Sequence, residues 1–567
     1  MRWASDRIGD RGIVSFVTNG GWVDGNSADG IRRCLQEEFA DLYIFHLKGN
    51  QRTSGERSRR EGGKIFDAGS RAPIAVWLFI KNPDAEQHGR IHFHTVDDYL
   101  TREAKLAEVA HLGSMQGVGR RRGWRVIEPD AHGDWLGQRD GGFADLMAMG
   151  DKDGKERIKL FVTYSRGVAT GRDWWAYNPS RAALAANIGR MIDTYNSELK
   201  RFDAAHPKAT RKEREALIDA FVDTDSRKIS WTRALKDMAV KRRPLAYEGA
   251  AITRSLYRPF TPQMLYFARD LNEMVYKMPS IFPAAGCDNR VISISGVGGK
   301  VAFGAIMADA VPSLHFADMG GSQCFPLWIY EPVGPDADLA AGELFGEGER
   351  QYRRRPGITP GALDAYRSAL GDAALSHEAM FYYSYGLLHA PDYRLRFADT
   401  LAKELPRLPV PTDRAIFDAF ERAGRELAEL HCGFESVEPF PVTLAQGDLR
   451  LINIPDPVVF WRVEKMRFGG KQGAYDRSVI HYNHNLTLTG VPLEAYDYVV
   501  NGKSAIEWVM EWQGVRTDTA SGITKDANAY AREEKGDPRY PFDLLARVIA
   551  MSLRTREIVA ALPSWQG

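Results

Sequence analysis

Cysteine is scarce in this sequence: four in 567 residues, at positions 34, 287, 324 and 432, with no Cys-x-x-Cys pair among them. That excludes a disulfide framework and a cysteine-built structural zinc site, and it fits reduced thiols. Long apolar runs are missing too; none approaches the roughly eighteen residues that a bilayer-spanning helix needs. The N-terminus, MRWASDRIGDRG, is charged throughout and lacks a signal-peptide core. A soluble, cytoplasmic protein with no membrane partner is expected. Net charge is nearly absent, at +1, so any affinity for nucleic acid must come from local patches. Internal repeats and low-complexity tracts are also lacking.

What is present is an ordinary globular composition, 44% hydrophobic, 26% charged and 11% aromatic. A chain of this length outgrows one hydrophobic core, so roughly two to four domains are expected. Residues 1–95 read as α/β. The run Ile13–Val17 is short, apolar and β-branched and is broken by Thr18-Asn19-Gly20-Gly21, as a buried parallel strand would be before a loop and helix. A helix follows, with Ile31, Leu35 and Phe39 at helical spacing. DLYIFHL and PIAVWLFIK supply two more strands. Residues 96–150 read as a connector with the helix REAKLAEVAHL and the basic turn GRRRGWR. Farther on, KLFVTYSRGVATGRDWWAYN reads as strand and LAANIGRMIDTYNSELKRFDAA as an amphipathic helix. NRVISISG reads as strand, residues 331–360 as a loop, and FADTLAKEL, DRAIFDAFERAGRELAELH and PFDLLARVIAMSLRTREIVAAL as helices.

Several motifs suggest chemistry and have plainer readings. VVNGKSAIEWV places Gly-Lys-Ser between strand and helix. A phosphate-binding loop, however, needs a glycine where this chain has Asp497. SISGVGGKVAFG lacks the acidic partner of a dinucleotide loop and reads as a turn. Pro83-Asp84 and Glu103-Ala104-Lys105 have the spacing of a metal-dependent nuclease. Helical periodicity around Glu103 and Lys105 would splay the two side chains, which that chemistry needs on one face of a strand. His88, His92 and His94 could hold a metal, but a solvated edge strand explains the same alternation, and no metal site is assigned. The arginine-rich, loop-like clusters Arg52–Arg60, Gly119–Arg125, Lys241–Pro244 and Arg353–Pro356 carry more weight. Guanidinium groups suit phosphate and guanine edges, and segregated charge in a near-neutral chain favours a nucleic-acid-facing groove.

The strings GIVSFVTNGGWVDGNSADGIRRCLQEEF and YIFHLKGNQRTSGERSRREGGKIFDAGSRAPIAVWLFIKN resemble the late part of an adenine-N6 DNA methyltransferase. More narrowly, they resemble Type ISP restriction-modification enzymes, single polypeptides joining nuclease, translocase, coupler, methyltransferase and target-recognition domain. SLYRPF, QCFPLWIY, YYSYGLLHAPDYR, LPRLPV and PLEAYDYVVNGKSAIEWVM resemble that family's C-terminal specificity region. The resemblance implies an α/β fold, a partial Rossmann-like methyltransferase sheet followed by a mixed α/β target-recognition domain with a helical C-terminal part. It divides the chain into 1–95 (methyltransferase), 96–150 (connector), 151–445 (target recognition) and 446–567 (the rest of the specificity region).

Ile13–Val17 resembles the sixth methyltransferase motif, and Phe66 to Lys81 the eighth. By that likeness Phe66 would pack against a target adenine flipped out of the helix, where an aromatic ring restores lost stacking. The Phe-x-Gly-x-Gly turn that holds S-adenosylmethionine in the family does not occur. Nor does the Asn-Pro-Pro-Tyr type catalytic tetrapeptide, since the chain has no Pro-Pro dipeptide. The complete enzyme would be an adenine-specific DNA methyltransferase using S-adenosylmethionine. This chain alone is expected to hold no cofactor and no catalytic residue. It is expected to bind double-stranded DNA, with Arg52, Arg57, Arg59, Arg60, Arg120, Arg121 and Arg122 on the backbone. A separate chain could supply the N-terminal methyltransferase half, translocase and nuclease. The alternatives are an inactive truncated product and a stand-alone specificity subunit without catalysis.

Overall fold

The structure, a computed structural model, describes residues 1–52, 55–66, 70–284, 286–298, 301–333, 344–345, 351–451, 453–471 and 474–565, without the side chains of 55–57, 344, 345 and 351. The chain divides into two compact units. The first comprises Met1–Leu146, Gly296–Phe303 and Arg394–Arg407, and the second Met147–Ser295, Gly304–Tyr393 and Leu408–Gly567.

The first unit is built on strands β1 (Gly12–Asn19), β2 (Asp41–His46), β3 (Ile74–Lys81), β4 (Arg90–Thr95) and β5 (Arg125–Ile127), in the order β1-β3-β2-β4-β5. Alternation along the strands gives the sheet two apolar faces. The short helix Arg2–Ser5 (α1) precedes β1. Leu42, Ile44, Ala75, Trp77 and Phe79 share one core with Leu35 of the helix Asp29–Glu38 (α2). Phe45, Leu47 and Ile74 share the other with Leu112 and Val118, which lie on the helices Arg102–Leu112 (α4) and Met115–Arg121 (α5). The helix Gly55–Glu61 (α3) follows β2. Residues expected as a connector thus supply one strand and two helices of this unit.

The expectation for the first strand is overturned. β1 pairs antiparallel with β3, and the parallel pair is β2 with β4. β1 is an edge strand among the described residues, and Ile13 and Val17 are 60% and 54% exposed. An apolar run identifies a strand without saying how many neighbours it has. His92 and His94 are likewise not on an edge, because β4 lies between β2 and β5.

In the second unit one apolar core gathers residues from Val168 to Met551, so the 446–567 segment shares its core with the region before it. The long helices fall where periodicity puts them, at Arg181–Ala205, Arg414–Cys432 and Tyr540–Ala560. The helices His377–Leu387 and Arg414–Cys432 touch backbone to backbone. A Cβ on Gly386 would lie 2.1 Å from the Phe420 carbonyl, and one on Gly424 1.8 Å from that of Tyr382. Three expectations fail here. In KLFVTYSRGVATGRDWWAYN only Ser165–Arg166 and Tyr177–Asn178 are strands, flanking a helical turn at Asp173–Ala176. FADTLAKEL keeps a single turn, Ala398–Leu401. The 331–360 stretch contains the strand Gln351–Pro356, paired antiparallel with Trp328–Val333. Among the described residues no helix is long and apolar enough to cross a membrane.

Candidate nucleic-acid interface

One edge of the first unit's sheet collects the residues singled out from the sequence. In register, Asn19 at the end of β1 faces Ile74 at the start of β3, and His46 at the end of β2 faces both Ala75 and Thr95. The carboxyl ends of the parallel strands therefore share this edge, the usual place for a binding crevice in open α/β sheets. The chain between β2 and β3 lies over it. Gly49 N–H donates to the Glu61 carbonyl at 3.0 Å, and Ile74 N–H to that of Lys48 at 3.0 Å.

This connection carries Phe66 and is pinned from α4. Lys105, fully buried, donates from Nζ to the carbonyls of Glu61 (2.6 Å) and Gly63 (2.7 Å). Burial pulls its ammonium down to about 8. Arg102 Nε donates to the Ile65 carbonyl at 2.9 Å. The approach leaves no room for a side chain, since a Cβ on Gly63 would lie 2.5 Å from the Arg102 nitrogen. Ile65 is buried as an anchor, and the next residue, Phe66, is 46% exposed. It is not a core aromatic. Beneath the same edge, burial and then the charges of Lys48 and Lys105 push the His46 imidazole down to about 4.

Arg52 is exposed. Arg57, Arg59 and Arg60 lie on α3 rather than in a loop, Arg59 and Arg60 exposed in its last turn; the Arg57 side chain is outside the described residues. Arg120 and Arg121 are also helical, in the last turn of α5. That helix starts at a Ser114 cap and stops before Gly123, whose φ is +80°. Arg121 donates to the His111 carbonyl. Arg122 is drawn to Asp97 (3.8 Å) and Glu108 (3.4 Å), which weakens it as a phosphate ligand. β5 begins at Arg125 opposite Phe93, so this turn flanks the carboxyl end of β4. An exposed ring set among cations can stack on a base and neutralise phosphates.

The other arginine-rich runs are largely neutralised. Lys241 pairs with Asp237, Arg242 with Asp203 and Arg243 with Asp270. Arg355 pairs with Glu331, and Arg354 lies 4.0 Å over the Trp328 ring. His92 Nε2 is 2.9 Å from Asp41, and no cluster of three or more potential metal ligands occurs among the described residues. Asn501 and Gly502, both at positive φ, turn the chain ahead of Lys503, which pairs with Glu511. Ser504 caps the helix Ala505–Trp512 in a capping box with Glu507, so the Gly-Lys-Ser run is a helix start. Sequence reasoning missed Lys105 as the clamp, because its partners are main-chain carbonyls that no residue pattern reveals.

Residues 159–544 match the family described as the Type ISP C-terminal specificity domain. Among solved structures, the chain is similar over its whole length to a nuclease-deletion mutant of the Type ISP restriction-modification enzyme LlaGI in complex with a DNA substrate mimic, at 35% identity and a TM-score of 0.82. It is similar to the ATP-dependent Type ISP restriction-modification enzyme LlaBIII bound to DNA (32%, 0.81) and to the DrdV–DNA complex (31%, 0.78), again over 100% of its length. It spans only 47%, 34% and 52% of those three chains. No curated protein matches.

Proposed function

Because this chain belongs to the Type ISP restriction-modification enzymes through its C-terminal specificity domain, we propose that it is the DNA-recognition part of such an enzyme, joined to the late half of an adenine-N6 methyltransferase domain. The observation that carries this reading is the likeness of the whole chain to relatives solved with DNA or a DNA mimic. Phe66, exposed at the sheet's carboxyl edge, supports the methyltransferase part: an extruded adenine would stack on it while Arg52, Arg59 and Arg60 hold the backbone.

In this reading the first unit is not where S-adenosylmethionine is held. The outer edge of β1 is unpartnered among the described residues, and the family's cofactor and catalytic motifs do not occur in the sequence. The cofactor belongs in this reading to the remaining part of a longer enzyme, whether in the same polypeptide or on a separate one with the translocase and nuclease.

Selection of bound duplexes from a random DNA library tests this. Recovery of one short asymmetric sequence is expected. A bound pool no different from the input removes the recognition role.

A further inference from the structure

We propose that Lys152, Arg166 and Lys277 form a surface through which the second unit holds the phosphodiester backbone of duplex DNA; this rests on the DNA-binding reading above. The three cations are distant in sequence and meet on one exposed face. Gly150 sets the first. A Cβ there would lie 2.7 Å from the Tyr164 ring, so only glycine lets the chain run flat across it. Two residues later the Lys152 ammonium sits 4.6 Å from the centroid of that ring. Arg166 belongs to the edge strand Ser165–Arg166, paired with Gln323 and Cys324. Strand alternation turns Ser165 into the core and Arg166 outward. Lys277 follows Tyr276, whose left-handed φ of +49° reverses the chain. Its N–H then donates to Ser165 Oγ at 3.0 Å and its ammonium to Thr163 Oγ1.

Among the described residues no carboxylate pairs with any of the three, in contrast to the arginine-rich runs of the same unit. Burial first, then the charges of Arg166 and Lys277, hold the Lys152 ammonium below its ordinary range. Asp151 and Asp153 also act on the Tyr164 ring, but Asp153 pairs with Lys155 at 3.2 Å and Asp151 accepts from the N–H groups of Asp153 and Glu156. Tyr276 and Met274 are exposed beside them and offer apolar contact between the charges, as suits a surface meeting sugars as well as phosphates. Lysine acts on phosphate as a point charge and demands no fixed geometry, which fits backbone contact rather than base reading.

The test measures binding of a fluorescent duplex by the whole chain across a salt series. Lys152, Arg166 and Lys277 are changed together to Gln, and singly in separate variants. The slope of log affinity against log salt should fall by roughly 0.9 for each phosphate no longer neutralised, about 2.7 for the triple variant. The single variants carry the test if the triple one folds poorly. Arg227→Gln removes a cation that is already paired, with Asp225 at 3.0 Å, and should leave the slope alone. Wild-type binding with an unchanged slope in the triple variant overturns the proposal and leaves the DNA reading standing. An equal fall in the Arg227 variant also overturns it. A wild-type chain that binds no duplex sinks the DNA reading and the proposal together, and a triple variant that loses only an acidic protein partner would reassign the surface.

Discussion

The guanidinium of Arg32 lies 2.9 Å from the carboxylate of Asp134, with both side chains almost wholly shut off from water. Arg32 also donates to the carbonyls of Gly133, Trp22 and Gly25, tying α2 to the segments on either side. Asp134 is held further by Arg139 (3.1 Å) and Lys403 (2.9 Å). Removing Arg32 leaves Asp134 to Arg139 and Lys403, but it opens a buried void and strands the three carbonyls that the guanidinium serves. Arg32→Ala should cost about 3–5 kcal/mol, read from urea denaturation followed by tryptophan fluorescence. A loss under about 1 kcal/mol would be that of a solvated pair.

His46 makes the first unit acid-sensitive. Its folded pKa of about 4 lies below the ordinary 6.5, so between those values the unfolded chain takes up a proton that the fold refuses. Stability is then complete above about pH 6.5 and declines as pH falls toward 4, by at most about 1.4 kcal/mol per unit. His46→Gln should flatten that part of the denaturation-versus-pH curve; an unchanged curve would place the acid sensitivity elsewhere.

The apolar periods of β2, β3 and the long helices were legible in the sequence because each element buries a face that its own spacing displays. The edge position of β1 was not, since exposure depends on neighbours contributed by other segments. The arginine runs looked alike as strings. Carboxylates from elsewhere, such as Asp203 and Asp270, neutralise one of them. Meanwhile Lys152, Arg166 and Lys277 stand 14 and 111 residues apart in the sequence and show no pattern. Phe66 stood out only by family likeness; that it is exposed needed the Lys105 clamp to be seen.

Gly424 faces the Tyr382 carbonyl with no space for a methyl group. Gly424→Ala must push two helix backbones apart and should destabilise the second unit by about 1–3 kcal/mol, against a gain in helix propensity below about 1 kcal/mol. A thermal midpoint at or above that of the wild type would contradict the close approach of the two helices.

Ile13 and Val17 expose apolar side chains along a strand edge that is unpaired among the described residues, an arrangement prone to pairing with another chain. The chain by itself should self-associate as its concentration rises. Ile13→Lys with Val17→Lys should keep it monomeric in light scattering. Equal association of both proteins would remove the edge as its cause.

The strand order β1-β3-β2 also bears on how the first unit comes into being on the ribosome. β3 is made after β1 and β2 yet is inserted between them, joining Gly12 to Lys81 and Asp41 to Ile80. The first two strands cannot zip together as they emerge; each must wait for residues 74–81 to arrive and bridge them. Closing such long loops before any ladder bond is gained slows assembly, and it leaves nascent apolar strands uncovered in the interval, the stage at which a chaperone has most to hold.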